Sequence, residues 1–178
     1  MCTEIETKLK VDSHEQIIKA LEKIGAEFLA ECIQIDHYFD GNPTFAVTGR
    51  CLRLRRQRTG KNEKVFLTYK GTQEEHTFKK RREIELEVAD ADSAEKLLLA
   101  LGYKKERVVE KKRRLWRLND CEIALDELPL LGSFVEIEGP DDKKIADVQR
   151  NLGLADLPHI KESYAALTDE KLKKNCQS

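Results

Sequence analysis

The chain has 178 residues, 37% of them charged, with 32 Lys and Arg set against 33 Asp and Glu. A net charge of −1 argues against a general binder of nucleic acid or membrane surface, though not against a local cluster of one sign. No apolar run reaches membrane or signal-peptide length, and the five cysteines are scattered without metal-ligand spacing, so the expectation is one domain over residues 1–178 in a reducing cytoplasm.

Residues 3–11 read as a strand. Glu4, Glu6 and Lys8 share one face, because side chains two apart in a strand point the same way; Ile5, Thr7 and Leu9 take the other. Ser13 is the expected N-cap of a helix, with Gln16 completing a capping box. Ile17, Ile18, Leu21 and Ile24 form its apolar stripe, and Gly25 ends it. Residues 33–39 alternate as a second strand, followed by a turn at Asp40-Gly41-Asn42-Pro43. In the next strand Leu52 and Leu54 alternate with Arg53 and Arg55. Residues 65–70 form another strand, ending at Lys70-Gly71, and the polar residues 72–78 are expected as a loop that could act as a lid.

The strand at 81–88 puts Glu83, Glu85 and Glu87 on one face and Ile84, Leu86 and Val88 on the other; a helix at 93–101 follows. Residues 107–118 carry Lys111, Arg113 and Trp116 in a strand-like stretch. Two last strands, 122–126 and 133–138, precede a helix at about 142–152 and a final one at about 161–174, frayed after Leu167. The tripeptide Glu-Ile-Glu occurs at 4–6, 83–85 and 136–138. Each copy is followed by a helix-like segment ending near a glycine, as in a repeated strand-then-helix unit.

About eight strands with short turns, several charged on one face and aliphatic on the other, predict an α+β fold: an eight-stranded antiparallel β-barrel or tunnel with flanking α-helices. Closure removes the sheet edges, and the charged faces point inward. Such a lumen is not a dry core, because an unpaired buried ion costs several kcal/mol. Its cations are Lys8, Arg53, Arg55, Lys70, Lys111 and Arg113, a set suited to a triphosphate. Its carboxylates are Glu4, Glu6, Glu83, Glu85, Asp126, Glu136 and Glu138. They would repel phosphate unless they held Mg²⁺ or Mn²⁺ between them. The pattern therefore predicts a metal-dependent enzyme acting on a triphosphate.

The ordered motifs resemble the CYTH superfamily, the triphosphate tunnel metalloenzymes. They are Glu4-x-Glu6-x-Lys8, Asp36-x-Tyr38-Phe39-Asp40, Leu52-Arg53-Leu54-Arg55, Leu67-Thr68-Tyr69-Lys70-Gly71, Arg81-x-Glu83-x-Glu85, Lys111-x-Arg113-x-x-Trp116, Leu125-Asp126-Glu127, Gly132-x-Phe134-x-Glu136-x-Glu138 and Ser163-Tyr164. The resemblance implies that acidic residues of the first and last strands, here Glu4, Glu6, Glu136 and Glu138, hold the metal, and that the basic rows hold the triphosphate. Asp126, Glu83 and Glu85 are the candidates for catalytic or supporting roles. The wording looks closest to the class IV adenylyl cyclase branch, which converts ATP to cyclic AMP and pyrophosphate, and that branch implies a homodimer. The same residues are shared with relatives that hydrolyse tripolyphosphate, thiamine triphosphate or nucleoside triphosphates. A hydrolase, or a binding module without turnover, therefore stays open beside the cyclase.

Overall fold

Period-two alternation of charge and aliphatic residues becomes a closed sheet in the computed structural model, which describes residues 2–41, 44–74 and 76–176. Strand β1 (Cys2–Lys10) is followed by helix α1 (Glu15–Lys23), β2 (Glu27–Asp40), a single turn α2 (Phe45–Thr48), β3 (Cys51–Thr59), β4 (Asn62–Lys70) and β5 (Lys79–Val88). Then come α3 (Ala91–Ala100), β6 (Lys104–Leu118), β7 (Cys121–Leu128), β8 (Gly132–Glu138), α4 (Asp142–Asn151) and α5 (Tyr164–Asn175). Every strand pairing is antiparallel, and the order β1-β5-β4-β3-β2-β6-β7-β8 closes on itself. No described helix is long and apolar enough to cross a membrane.

The three Glu-Ile-Glu strands are neighbours in this order: β1 lies between β5 and β8. Glu6 stands directly across from Glu138, so the repeated tripeptides build one wall. The helices after them end at Gly25, Gly102 and Gly153, all in the left-handed region that a residue without Cβ adopts freely.

The core lies outside the barrel. Leu9, Ile123, Leu125, Val135 and Ile137 point away from the lumen and pack against Ile17 and Leu21 of α1 and Ile145 and Val148 of α4. Ala91 and Leu98 of α3 cover Leu52, Leu54 and Val65 on the outer face, whereas Tyr164 of α5 packs on the lumen side against Val109, Leu128 and Phe134, which share strand faces with Lys111, Asp126 and Glu136.

Several local expectations change. His14, not Ser13, is the N-cap of α1, and its side chain makes no cap bond; its Nε2 lies 2.9 Å from the Phe134 carbonyl oxygen instead. Strand β2 begins at Glu27, six residues before the alternating run, because its partner β6 extends to Arg117. Helix α5 continues to Asn175 rather than fraying after Leu167. Ile84 and Leu86 were expected under a helix, yet they are 40% and 56% exposed, because α3 folds over β3 and β6 instead. The loop read as a lid is pinned at its far end: Phe78 is buried in the main core, its ring 5.1 Å from that of His159. Glu75 of that loop, and Asn42 and Pro43 of the predicted turn, lie outside the described residues.

Candidate active site: a charged tunnel

The lumen is a cavity of about 710 Å³. It is lined by Glu4, Glu6 and Lys8 of β1, Arg53 and Arg55 of β3, Lys70 of β4, Glu83 and Glu85 of β5, Lys111 and Arg113 of β6, and Glu136 and Glu138 of β8. Asp126 of β7 lies behind this surface, fully buried and bonded to two of its cations. The tunnel thus brings together all thirteen residues singled out from the sequence. It adds Lys79, and with it Arg81, which the sequence reading placed in the Arg81-x-Glu83-x-Glu85 motif but not among the lumen cations. Their signal was present: they precede Glu83 and Glu85 at the same two-residue spacing on one strand.

Two buried aspartates set the basic wall. Asp36, 1% exposed, accepts Arg55 Nε and Nη2 at 2.7 and 2.8 Å, a two-point fork. Burial alone would raise its carboxyl pKa, but Arg55 and Arg53 hold it well below the usual range. Asp126 repeats the device on β7, taking Arg113 Nε and Nη2 at 2.6 Å each, with Lys111 at 3.3 Å. The Tyr164 hydroxyl also donates to Asp126 at 2.9 Å. Its ring lies 4.1 Å from Lys8 Nζ and 4.8 Å from Lys111 Nζ, so α5 closes this end of the tunnel with an aromatic face toward two cations. Crowding shows in Lys111: burial and the neighbouring Arg113 bring its pKa down to about 8.

The acidic wall is held by lysines. Lys70 Nζ reaches both Glu4 oxygens at 2.6 and 2.7 Å and Glu83 at 2.8 Å. Lys79 pairs with Glu6 at 2.7 Å, and Lys8 with Glu136 at 3.4 Å. Arg113 contacts Glu136 as well. Glu85 sits at the rim and accepts from Thr68 at 2.9 Å. Burial, then the nearby Glu6, push both Glu4 and Glu138 up to about 7. Glu6 stays down at about 2: burial would raise it, but Lys79 and the other lysines outweigh that.

The donor chemistry fits a hard divalent cation. Glu4, Glu6, Glu136 and Glu138 offer only carboxylate oxygens, and burial followed by the neighbouring Glu6 raises the pKa of two of them, Glu4 and Glu138. Among the described residues no three His, Cys, Asp or Glu side chains already converge on one point. Each of Glu4, Glu6 and Glu136 is occupied by a lysine or arginine.

His37 faces outward, 2.7 Å from Glu95 of α3, and takes no part in the tunnel. Cys32 lines the tunnel as a neutral thiol, its pKa raised by burial.

The CYTH domain family model matches residues 3–164. A Methanocaldococcus jannaschii protein named as a candidate adenylate cyclase is 29% identical over 174 residues, covering 97% of this chain and 95% of that one. A solved Pyrococcus horikoshii structure superposes with a TM-score of 0.82 at 29% identity, over 94% of this chain and 99% of its own. A Hippeastrum structure, described as that of an adenylyl cyclase candidate with a dominant triphosphatase activity, shares the fold at a TM-score of 0.71 and 17% identity, over 96% of each chain. With the closed barrel, the inward charges and a family match over nearly its whole length, the chain belongs to the CYTH domain family.

Proposed function

We propose that this protein is a divalent-metal-dependent enzyme acting on a triphosphate, and that its reaction is conversion of ATP to cyclic AMP and pyrophosphate. One observation carries the reading: a basic wall and an acidic wall face each other in a single cavity. The name of the Methanocaldococcus relative supports the cyclase reaction.

In this reading Arg53, Arg55, Lys111 and Arg113 clamp the phosphates, Arg by two-point contact and Lys by charge. Asp36 and Asp126 orient the guanidiniums. Asp126 acts as a positioning residue, because Arg113 and Lys111 hold its buried carboxyl in the ionised form. Incoming phosphate draws Lys8, Lys70 and Lys79 away from Glu136, Glu4 and Glu6, freeing the carboxylates. Glu4, Glu6, Glu136 and Glu138 would then hold Mg²⁺ or Mn²⁺, which supplies Lewis-acid polarisation and a more acidic nucleophile. The ribose 3′-hydroxyl attacks the α-phosphorus in line, and pyrophosphate leaves into the basic wall. The hydroxyl proton is lost to water in the tunnel, because Glu4, Glu6, Glu136 and Glu138 would be committed to the metal. Glu83 and Glu85 keep Lys70 and Thr68 in place.

The test is product analysis on the purified protein with ATP, tripolyphosphate and thiamine triphosphate, each with Mg²⁺ or Mn²⁺. Cyclic AMP and pyrophosphate are expected from ATP. Orthophosphate without cyclic AMP would replace the cyclase with a triphosphate hydrolase on the same scaffold. Tight binding without any product would leave a binding module.

A further inference from the structure

Helix α3 leaves much of its apolar surface uncovered. Ala91 and Leu98 face the sheet, whereas Leu97 and Leu101, one turn apart, are 60% and 66% exposed. Glu95 reaches His37 of β2 and Lys105 of β6, so its flank of the helix overlooks those two strands. Leu97 lies about 200° further round the helix and overlooks β4 and β5, on the other side of β3. There Ile84 and Leu86 of β5 are 40% and 56% exposed. Their side chains alternate with Glu83 and Glu85 and so stand outside the barrel. Leu86 is paired with Leu67 and Ile84 with Tyr69, both partly buried against the α3 cluster, which joins the two exposed pairs into one apolar face. Large aliphatic side chains left open side by side in this way mark a protein contact.

The charges beside this face point to its occupant. Arg82 precedes Leu86 by four residues and Asp90 follows it by four, and both are exposed. The face is therefore cationic at one end, aliphatic in the middle and anionic at the other end. Consider a two-fold axis that lies in the plane of the face and crosses β5 at right angles beside Leu86. It sets Leu86 against its own copy, and each Arg82 against the Asp90 of the other chain. A different protein would need a matching pair of charges at this spacing, whereas a second copy brings them. Aliphatic centre and charged ends also match the core and rim of a protein interface, whose standard size is about 800 Å² per partner. We propose that the β5–α3 face is the contact between two copies of this chain, related by a two-fold axis at Leu86. The contact lies on the outer wall of each barrel and leaves both lumens clear. Exposure, register and charge place it here, whatever reaction the tunnel performs.

Sedimentation equilibrium of the full chain, from nanomolar to micromolar protein, tests it. A single monomer–dimer equilibrium is expected. Leu86→Lys puts two like charges on the axis and should weaken the dimer by at least about tenfold. Leu97→Glu should weaken it by a similar factor, and Arg82→Glu several-fold by repelling the Asp90 that faces it. All three side chains are exposed, so each variant should keep its fold, checked by a thermal melt. In a Leu86→Cys variant, a short bismaleimide should link position 86 of one chain to position 86 of the other, read by peptide mass mapping. A monomer at every concentration would overturn the proposal and leave the face to a different protein. A dimer that neither Leu86→Lys nor Leu97→Glu weakens would overturn it too, because the copies would then meet elsewhere. Growth beyond a dimer with rising concentration would do the same, since a two-fold contact closes on itself. A dimer without the 86-to-86 link would remove the axis from Leu86 and with it the pairing of Arg82 and Asp90.

Discussion

The two walls of the tunnel hold their charges in different ways. On the basic wall, Arg55 and Arg113 are each forked across a fully buried aspartate, whose remaining contacts are Arg53 for Asp36, and Lys111 and Tyr164 for Asp126. On the acidic wall, flexible lysines make the short contacts to Glu4 and Glu6, with Arg81 farther off at 3.6 and 3.8 Å. A guanidinium locked by two parallel bonds is preorganised for phosphate and costs little to use. A lysine point charge swings away when a better anion arrives. In the proposed function the basic wall would serve as a fixed receptor, and the acidic wall as an exchangeable one whose cations give way to the metal.

The largest expected effect breaks the acidic wall. Glu6→Gln removes one oxygen ligand and the partner of Lys79, and should lower turnover at ordinary metal concentration by about 100-fold or more. Its melting temperature should fall, because buried Lys79 loses its counter-charge, but a cooperative melt should remain, checked by steady-state kinetics beside a thermal melt. Near-normal turnover would remove Glu6 from the metal set.

Breaking the basic wall should instead cost stability. Asp36→Asn leaves Arg55 buried without its counter-charge, with an expected loss of about 3 kcal/mol in denaturant unfolding. A loss within experimental error would mean that water or another carboxylate reaches Arg55. Arg55→Ala should weaken triphosphate affinity by about tenfold to 100-fold, with Asp36 left to Arg53 alone. Calorimetric titration that finds the same affinity would take Arg55 out of the clamp.

A pH series sharpens the contrast at a smaller scale. The Asp36 carboxyl is depressed in the fold, whereas in the unfolded chain it titrates near its ordinary value of about 3.9. Its contribution is therefore complete above that pH and is lost as pH falls through it toward the lower folded value. Asp36→Asn should flatten that acid limb of the melting temperature. An unchanged limb would place the acid sensitivity on other carboxylates.

The barrel was legible in the sequence because period two is a local signal. Glu4, Glu6 and Lys8 alternate with Ile5, Thr7 and Leu9 whatever lies beside them, and the same holds for Arg53 and Arg55 against Leu52 and Leu54. The start of β2 was less legible: residues 27–32 mix Phe28 and Leu29 with glutamates and lack clean alternation, and they extend only because β6 pairs with them. Ser13 looked like a cap and was not, since His14 found a backbone carbonyl on β8, 120 residues away in the chain.

By itself the sequence determined which side chains share a face, and hence which charges would enter a lumen if the sheet closed. Tertiary structure decided the partners. Asp36 with Arg55, Asp126 with Arg113 and Lys70 with Glu4 are all pairings between strands. Which residues meet across a sheet depends on strand order and register, and those are set by closure of the whole barrel rather than by any one segment.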